Sequence, residues 1–225
     1  MSAQHQEREH PPTFELPPMR HEVRPMLHRM FDIAIAVFCL LLFWPAFLVI
    51  GLALKLTDSG PIFFGHRRIG RNGRTFRCLK FRSMVLNAEQ RLEEVLSADP
   101  AAAREWRETQ KLRKDPRITP IGRFLRATSL DELPQLFNVL AGQMSIVGPR
   151  PIVADEAERY EHVYQLYCRA NPGMTGLSQI SGRSHLSYAE RVLLDAQYFG
   201  RKSIREDLRI LIFTVPVVLR RDGSC

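Results

Sequence analysis

Two adjacent carboxylates, Asp131 and Glu132, are the residues of this chain whose type and spacing best suit chemistry. They lie in RFLRATSLDELPQLFNVLAGQMSIVGPRP, residues 123–151, together with three arginines: Arg123, Arg126 and Arg150. A carboxylate can attack phosphorus, or it can hold Mg²⁺ against phosphate oxygens. Nearby guanidinium groups can stabilise the negative charge on a transferring phosphoryl group. The pattern therefore indicates a site for phosphoryl transfer.

The same residues also allow a structural interpretation. Ser129 and Glu132 have the spacing of a capping box at a helix start. In that arrangement Pro134 would fall at the fifth helical position, where a backbone N–H is needed. A helix that begins at Asp131 puts Pro134 in the first turn, where the N–H is not needed. Glu132 is then no capping partner, but a plain N-cap role for Asp131 stays open on the residues alone.

Positive charge is concentrated in residues 55–84. This segment has eight Lys and Arg and one acid, whereas the whole chain has 32 Lys and Arg and 24 Asp and Glu. Such a segment favours an anionic partner: lipid headgroups, a phosphorylated substrate or nucleic acid. The four cysteines are scattered without a CxxC pair, which argues against a zinc ribbon or a disulfide framework.

An apolar stretch over residues 33–54 is the one segment suited to a membrane. Its 22 uncharged residues would reach roughly 33 Å as a helix, enough for one span. Pro45 near its centre predicts a kink or a break. Basic residues flank both ends, so the positive-inside rule assigns no orientation. A kinked spanning anchor and a re-entrant helix that returns to the same face both stay open.

Local patterns predict mostly helices in the rest of the chain. The Asn-Gly pair at 72–73 lies between short β-prone runs and predicts a hairpin. Thr119-Pro120 predicts the start of a helix that runs through Arg126. Helices are also predicted after Asp131 and in three further segments: 87–113, 153–170 and 186–200. A Gly-rich loop is predicted over 172–183, and the apolar run 208–219 predicts a core or interfacial helix.

These motifs together resemble the bacterial sugar transferases, the monotopic phosphoglycosyl transferases. The likeness is carried by SLDELPQLFNVLAGQMSIVGPRP (129–151) and by KFRSM (80–84), DPRITPIGRFLR (115–126) and PGMTGLSQISGR (172–183). It extends through the segment with Asp195 and Tyr198 and covers about residues 28–225. The chain length and the ending RRDGSC are most similar to the exopolysaccharide-initiating galactose-1-phosphate transferases of the ExoY type.

The resemblance implies a reaction and a set of site residues. Such enzymes move a sugar 1-phosphate from a UDP-sugar, here UDP-galactose or UDP-glucose, to undecaprenyl phosphate and release UMP. Asp131 is implied to be the nucleophile of a covalent aspartyl phospho-sugar intermediate, and Glu132 to hold Mg²⁺ together with Asp131. Five basic residues match family positions near the diphosphate and the sugar: Lys80, Arg82, Arg126, Arg150 and Arg183.

The implied fold is mainly α with a small β-hairpin. Residues 1–27 are predicted to be a flexible tail, 28–56 a re-entrant helix broken at Pro45, and 57–225 a catalytic domain with interfacial helices. The domain is expected to face the cytoplasm at the bacterial inner membrane, with membrane lipids as partners and no nucleic acid. The C-terminal apolar helix offers a surface for a homodimer. The alternative is a membrane-anchored basic binding or scaffold module, which explains the basic segment but not the carboxylate pair.

The chain departs from family patterns at two places that concern the site. Trp44 precedes Pro45 where some relatives have Ser, and Ser178 stands where many have Trp or Ala. Asp195 is predicted to be a structural ion-pair partner of Arg183 or Arg191.

Overall fold

A computed structural model describes residues 25–109, 112–182 and 186–219. Its longer helices are α1 (Pro25–Thr57), α2 (Ala88–Ala98), α3 (Pro100–Thr109), α4 (Pro120–Ala127), α5 (Gln135–Leu140), α8 (Tyr188–Arg201) and α9 (Ile204–Leu219). Two short helices are α6 (Tyr164–Tyr167) and α7 (Leu177–Ile180), and the 3-10 segments are Arg71–Gly73, Leu130–Glu132 and Ala154–Val163. The strands are β1 (Phe63–Ile69), β2 (Thr75–Phe81), β3 (Ser145–Val147) and β4 (Gly173–Thr175). The fold is mainly helical, as the sequence predicts.

Helix α1 is helical on both sides of Pro45. Within the described part of the chain, Met26–Thr57 is the one helix that is long and apolar enough to cross a membrane. Large apolar side chains are exposed along its outer surface, among them Leu41, Val49 and Leu56 at 70%, 68% and 79%. The predicted return of the chain at Pro45 stays a prediction.

Both ends of α1 contact the same folded unit. Near its start, the Arg29 guanidinium donates to the carbonyls of Val139 and Leu140 at 2.6 and 2.8 Å. One turn later, Asp32 accepts from the Ser145 hydroxyl and from the backbone N–H of Ile146. Near its end, Ile50 and Leu54 pack in one cluster with Phe81 and Leu125. One face of the helix therefore lies against the domain over most of its length.

The predicted hairpin is confirmed. Strands β1 and β2 are antiparallel, and the register pairs Phe64 with Lys80 and Arg68 with Phe76. Asn72 and Gly73 at the tip have positive φ angles of 59° and 71°, which is the conformation that Asn-Gly pairs adopt readily. Because side chains alternate along a strand, the hairpin has one face for Lys80 and the other for its neighbours Leu79 and Phe81.

A second sheet of two parallel strands was not predicted. Strands β3 and β4 pair Ser145 with Gly173 and Val147 with Thr175, so β4 and the short helix α7 occupy the segment predicted to be a loop. Three-residue strands are too short to show an alternating pattern. The pairing depends on close backbone approach, since a Cβ on Gly173 would lie 2.1 Å from the nitrogen of Gly148.

The other helix predictions have mixed outcomes. Thr119 caps α4 through its hydroxyl, which accepts from the N–H of Gly122, and α8 begins at a capping box of Ser187 and Glu190; both helices were predicted. The segment 87–113 forms two helices, α2 and α3. The segment predicted to be helical over 153–170 is helical over most of its length, as a 3-10 segment (Ala154–Val163) followed by α6, and a φ of 43° at Glu161 interrupts it.

Helix α9 is half buried. Ile210 is fully buried in the core cluster that also contains Ala36, Leu136 and Val147. On the opposite side Ile212 and Val215 are exposed at 68% and 59%. The helix is thus neither purely a core helix nor purely a surface helix, and its outer face is apolar like that of α1.

Candidate active site

The turn before α5 directs the two carboxylates. Ser129 has a left-handed backbone, φ 57° and ψ 13°, which reverses the chain after α4. A 3-10 turn over Leu130–Glu132 follows, and Pro134 immediately precedes α5. Neither helix start has a side-chain cap, so the capping interpretations of Ser129 and Asp131 are wrong. Asp131 lies inside the 3-10 turn, and α5 begins only at Gln135, so Asp131 is not placed at a helix start.

Lys80 brings the two carboxylates together. Its Nζ lies 2.6 Å from Oε1 of Glu132 and 3.5 Å from Oδ2 of Asp131. Asp131 is buried at 6% exposure, while the Glu132 side chain is 41% exposed. Asp131 is therefore the buried carboxylate of the pair and Glu132 the exposed one, and the Lys80 ammonium group interacts with both.

Burial and charge act in opposite directions at this site. Burial raises the pKa of Asp131 above its ordinary value, and the Glu132 carboxylate raises it further, while Lys80 and Arg126 pull it down. Burial lowers the pKa of Lys80, but the charges of Glu132 and Asp131 outweigh it, so the net direction is upward. Lys80 thus stays a cation, and its charge favours the ionised form of the buried Asp131 carboxylate.

Asn138 holds the strand that carries Lys80, a role that sequence reasoning missed. Its amide nitrogen donates to the carbonyl of Arg77 at 2.8 Å, and its amide oxygen accepts from the N–H of Leu79 at 2.9 Å. Asn138 is 2% exposed and lies in α5. The carboxylate turn and the lysine strand are thereby connected through one side chain. A buried amide within an apolar helix pattern was the available signal.

Helix α4 supplies Arg126. Its Nε donates to the Ser83 hydroxyl at 2.9 Å, and the Asp131 charge raises its pKa against the lowering by burial. Helix α4 approaches the strand end closely, because a Cβ on Gly122 would lie 1.9 Å from the carbonyl oxygen of Ser83. Arg126 therefore belongs to the immediate surroundings of the carboxylate pair.

Arg82 is more buried than the phosphate-binding role implied by the family resemblance would suggest. It is 7% exposed and forms an ion pair with Asp58 in the link between α1 and β1. Its Nη1 is buried without a hydrogen-bond partner among the described residues and would collide with any Cβ on Gly60. In this arrangement Arg82 joins the end of β2 to the end of α1, and its phosphate contact stays a prediction.

Arg150 is exposed. The charges of Lys80, Glu132, Arg68 and Arg150 all act on the buried thiol of Cys78, whose pKa burial raises to about 11. Lys80, Glu132, Arg68 and Arg150 therefore surround one region of the hairpin. Arg183, the fifth predicted basic residue, lies outside the described residues.

Arg68 and His66 extend this charged face along β1. Arg68 donates to the carbonyl of Pro151 at 3.2 Å and lies 3.6 Å from Glu156. Burial lowers the pKa of His66, and the Arg68 charge lowers it further. The contacts of Arg68 therefore point inward, toward the segment that follows Arg150. The alternation of residues 64, 66 and 68 opposite 80, 78 and 76 is the signal that places them there.

Among the described residues, Asp195 is bound by hydrogen bonds and forms no ion pair with Arg191; an ion pair with Arg183, which lies outside the described residues, stays a prediction. Its carboxylate accepts from the hydroxyls of Tyr160 and Ser178 at 2.8 and 3.0 Å, and from the backbone N–H of Arg150. Burial raises the pKa of Asp195 to about 6, and Arg191 acts on it only through its charge. Ser178 thus has a defined use, and Asp195 anchors the backbone of the arginine at the site.

The donors available for a cation are the carboxylates of the pair. Among the described residues, no group of three or more His, Cys, Asp and Glu is arranged to hold a metal. Mg²⁺ is usually held by one or two carboxylates, with water and substrate phosphates completing its six oxygens. Glu132 and Asp131 therefore fit Mg²⁺ as a donor set that a phosphorylated substrate completes.

Comparison with known families identifies the family of the chain. The model of the family "Bacterial sugar transferase" matches residues 23–221, and the chain belongs to that family. It is therefore an enzyme, a phosphoglycosyl transferase, rather than a binding or scaffold module without catalysis.

Three relatives show how the match is distributed. The exopolysaccharide production protein ExoY of Sinorhizobium fredii is 49% identical over 214 residues, 94% of this chain and 95% of that protein. The undecaprenyl-phosphate galactose phosphotransferase of Salmonella typhimurium is 53% identical over 88% of this chain and 41% of its own length. The UDP-glucose:undecaprenyl-phosphate glucose-1-phosphate transferase of Escherichia coli is 40% identical over 86% of this chain and 40% of its own.

Proposed function

We propose that this protein transfers galactose 1-phosphate from UDP-galactose to undecaprenyl phosphate at the start of exopolysaccharide synthesis. The observation that carries the proposal is the placement of Asp131. It is buried beside Lys80, and its neighbours Leu130 and Leu133 pack in one cluster with Ile50 and Leu54 of the apolar helix α1. A buried carboxylate next to a helix that is apolar enough to enter a membrane suits the transfer of a phosphoryl group to a lipid-linked acceptor.

The reaction takes place in two displacements at one phosphorus. In the first, a carboxylate oxygen of Asp131 attacks the sugar-bearing phosphorus of the UDP-sugar, and the bond to the bridging oxygen breaks, so that UMP leaves. In the second, a phosphate oxygen of undecaprenyl phosphate attacks the aspartyl phospho-sugar and returns the carboxylate. A covalent carrier divides one difficult transfer between a soluble and a lipid-bound substrate into two simpler steps.

The basic residues supply positive charge where the phosphates meet. Lys80 favours the ionised form of Asp131 and neutralises part of the incoming charge, and the Arg126 charge also lowers the pKa of this carboxyl. Arg150 and Arg183 are proposed to bind the diphosphate and sugar. Arg82 is proposed to contact phosphate only if it exchanges its Asp58 partner. Mg²⁺, held by Glu132 and Asp131, would neutralise the diphosphate charge.

Galactose is favoured over glucose by the relatives. The Salmonella protein, whose name specifies galactose, is 53% identical, and the Escherichia coli protein, whose name specifies glucose, is 40% identical. The match with ExoY over nearly the whole of both chains supports exopolysaccharide production as the context.

The experiment combines product analysis with a nucleophile variant. Purified protein with Mg²⁺, UDP-galactose and undecaprenyl phosphate should release UMP, and with UDP-galactose alone it should gain one hexose-phosphate mass on Asp131. Asp131→Asn should abolish both signals, because an amide does not attack phosphorus. The matched control Asp155→Asn changes an exposed aspartate and should keep both. Turnover in the Asp131 variant, or UDP-glucose as the preferred donor, would contradict the proposal.

A further inference from the structure

A polar cavity lies at the tip of the hairpin, away from the carboxylate pair. It has a volume of about 570 Å³ and lies between the start of α1, the hairpin tip, the α5–β3 turn and the segment before α9. The residues that matter for its chemistry are Arg29, Arg71, Arg74, Lys202 and Asp32. The basic Arg71-Asn72-Gly73-Arg74 tip has no part in the proposed transfer reaction.

The cavity is separate from the catalytic site. Arg74 and Lys80 are six residues apart on the chain and lie at opposite ends of β2, which corresponds to about 20 Å at the rise of an extended strand. None of the residues that line the cavity belongs to the carboxylate pair or to its basic surroundings. A ligand bound at the tip therefore does not occupy the space of the sugar nucleotide.

The cavity carries an excess of positive charge. Four basic side chains line it, with Asp32 as the single acid among the lining residues. Asp32 is already bound by the Ser145 hydroxyl and the Ile146 N–H. Within the described part of the chain, the guanidinium groups of Arg71 and Arg74 form no hydrogen bond or ion pair, and both residues are exposed. Two free guanidinium groups at the mouth of a polar cavity are suited to a phosphate group.

The surroundings of the cavity indicate where that phosphate comes from. On one side α1 begins with Met26 and Met30, which are 77% and 61% exposed. On another side Lys202 precedes α9, whose Leu208 and Ile212 are 44% and 68% exposed. Two apolar surfaces thus start beside the same basic cavity. An apolar surface next to a basic rim is the pattern of a protein face at the lipid headgroup layer.

We propose that this cavity binds the phosphate group of an anionic phospholipid, with Arg71 and Arg74 as its principal ligands. Lys202 and Arg29 add positive charge to the walls. The bound headgroup would hold the start of α1 and the hairpin tip at the membrane surface, independently of catalysis.

The test compares two variants that lose equal charge. Arg71→Gln/Arg74→Gln removes the proposed ligands, and Arg104→Gln/Arg107→Gln removes two exposed arginines of α3, which does not line the cavity. Each full-length protein, in neutral detergent, is titrated with short-chain phosphatidylglycerol, short-chain phosphatidylcholine and inorganic phosphate. Binding is measured by thermal shift and by the lipid retained in native mass spectrometry.

Wild type and the α3 variant should bind phosphatidylglycerol alike, and the tip variant at least tenfold more weakly. All three should have the same Tm without lipid and should gain the same hexose-phosphate adduct from UDP-galactose. Equal phosphatidylglycerol binding by both variants would overturn the site. Equal affinity for phosphatidylcholine would overturn its selectivity for anionic lipid, and saturation by inorganic phosphate that displaces the lipid would identify free phosphate as the ligand. The lipid readouts need no turnover, so they stand apart from the proposed function.

Discussion

Lys80 stands between a buried and a half-exposed carboxylate, and its charge decides how easily the buried one ionises. Two carboxylates side by side repel each other, and burial adds to the cost of ionising Asp131. A cation within 3.5 Å of both offsets these costs. The ionisation of Asp131 thus depends on three residues from two distant parts of the chain.

Lys80→Gln should therefore change the pH dependence as well as the rate. Without the ammonium group the pKa of Asp131 rises further, so a larger fraction is protonated and inactive near neutral pH. We expect the acidic limb of the kcat/KM profile to move to higher pH and kcat to fall at least tenfold, about 1.4 kcal/mol. The exposed Lys114→Gln is the matched control. A reduced rate with an unshifted profile would mean that Lys80 acts only on substrate.

Asp195 offers a second pH-dependent test at residue scale. Its pKa is about 6 in the folded protein, above the ordinary value of a free aspartate. The folded state therefore binds more protons than the unfolded state between about pH 4 and 6, and this carboxyl makes the protein less stable as pH rises through that window. About two pKa units correspond to at most about 3 kcal/mol.

Asp195→Asn should remove this dependence. The difference in Tm between the variant and wild type should become more favourable to the variant from pH 4.5 to pH 7.5, because only wild type then carries the buried charge. Asp207, whose pKa is also about 6, is present in both proteins and cancels. Asp155→Asn, an exposed change, should show a constant difference. A constant difference for Asp195→Asn as well would place its folded-state pKa near the ordinary value.

At the scale of elements, the site depends on how closely α4 approaches the end of β2. At this contact the backbone carbonyl of Ser83 occupies the space that a Cβ atom on residue 122 would need, so only glycine fits there. The same approach sets Arg126 against the Ser83 hydroxyl. The position of α4 therefore also determines the position of Arg126.

Gly122→Ala should displace α4 or lower the stability of the fold. The added Cβ would lie 1.9 Å from the Ser83 oxygen, and overpacking of this kind costs about 1–3 kcal/mol. We expect a lower Tm together with slower formation of the phospho-sugar adduct, because Arg126 moves with the helix. Gly51→Ala is the control, since its Cβ would meet Ile62 at 3.5 Å, an ordinary contact. Full activity and unchanged Tm for Gly122→Ala would show that the strand end yields without cost.

At the scale of the whole molecule, the contacts of α1 bear on its orientation in the membrane. Arg29 and Leu54 both contact the catalytic unit, and the 25 residues of continuous helix between them correspond to about 38 Å at 1.5 Å per residue. That exceeds the roughly 30 Å hydrocarbon core. A spanning α1 would draw the domain surface around Val139 and Ser145 through the bilayer. We therefore predict that both ends of α1 lie on the same side of the membrane.

Cysteine labelling tests this topology. In a cysteine-free background, single cysteines at Ser2, Thr57 and the exposed α2 residue Ser97 should all resist a membrane-impermeant thiol reagent in intact cells. All three should react after lysis. The Ser97 probe reports the side of the catalytic unit itself. Reaction of the Ser2 probe alone in intact cells would mean that α1 spans the membrane.

The carboxylate pair, the hairpin turn and the start of α4 can be predicted from the sequence alone. Asp131 and Glu132 are adjacent, the Asn-Gly pair tolerates the positive φ angles that a tight turn needs, and Thr119-Pro120 marks a helix start through local hydrogen bonding. The long apolar segment is equally visible, because mean hydropathy needs no knowledge of contacts. Each of these signals lies within a few consecutive residues, where local sterics and solvation act.

Tertiary structure alone decided what surrounds the carboxylates. Contacts between distant segments pair Lys80 with Glu132, which lies 52 positions away. Such contacts also let Asn138 hold β2 and bring three hydrogen-bond donors to Asp195. The parallel β3–β4 pair, three residues per strand, exists because Gly148 and Gly173 permit their backbones to meet. Such contacts are selected by the packing of the whole chain, so neither spacing nor periodicity specifies them.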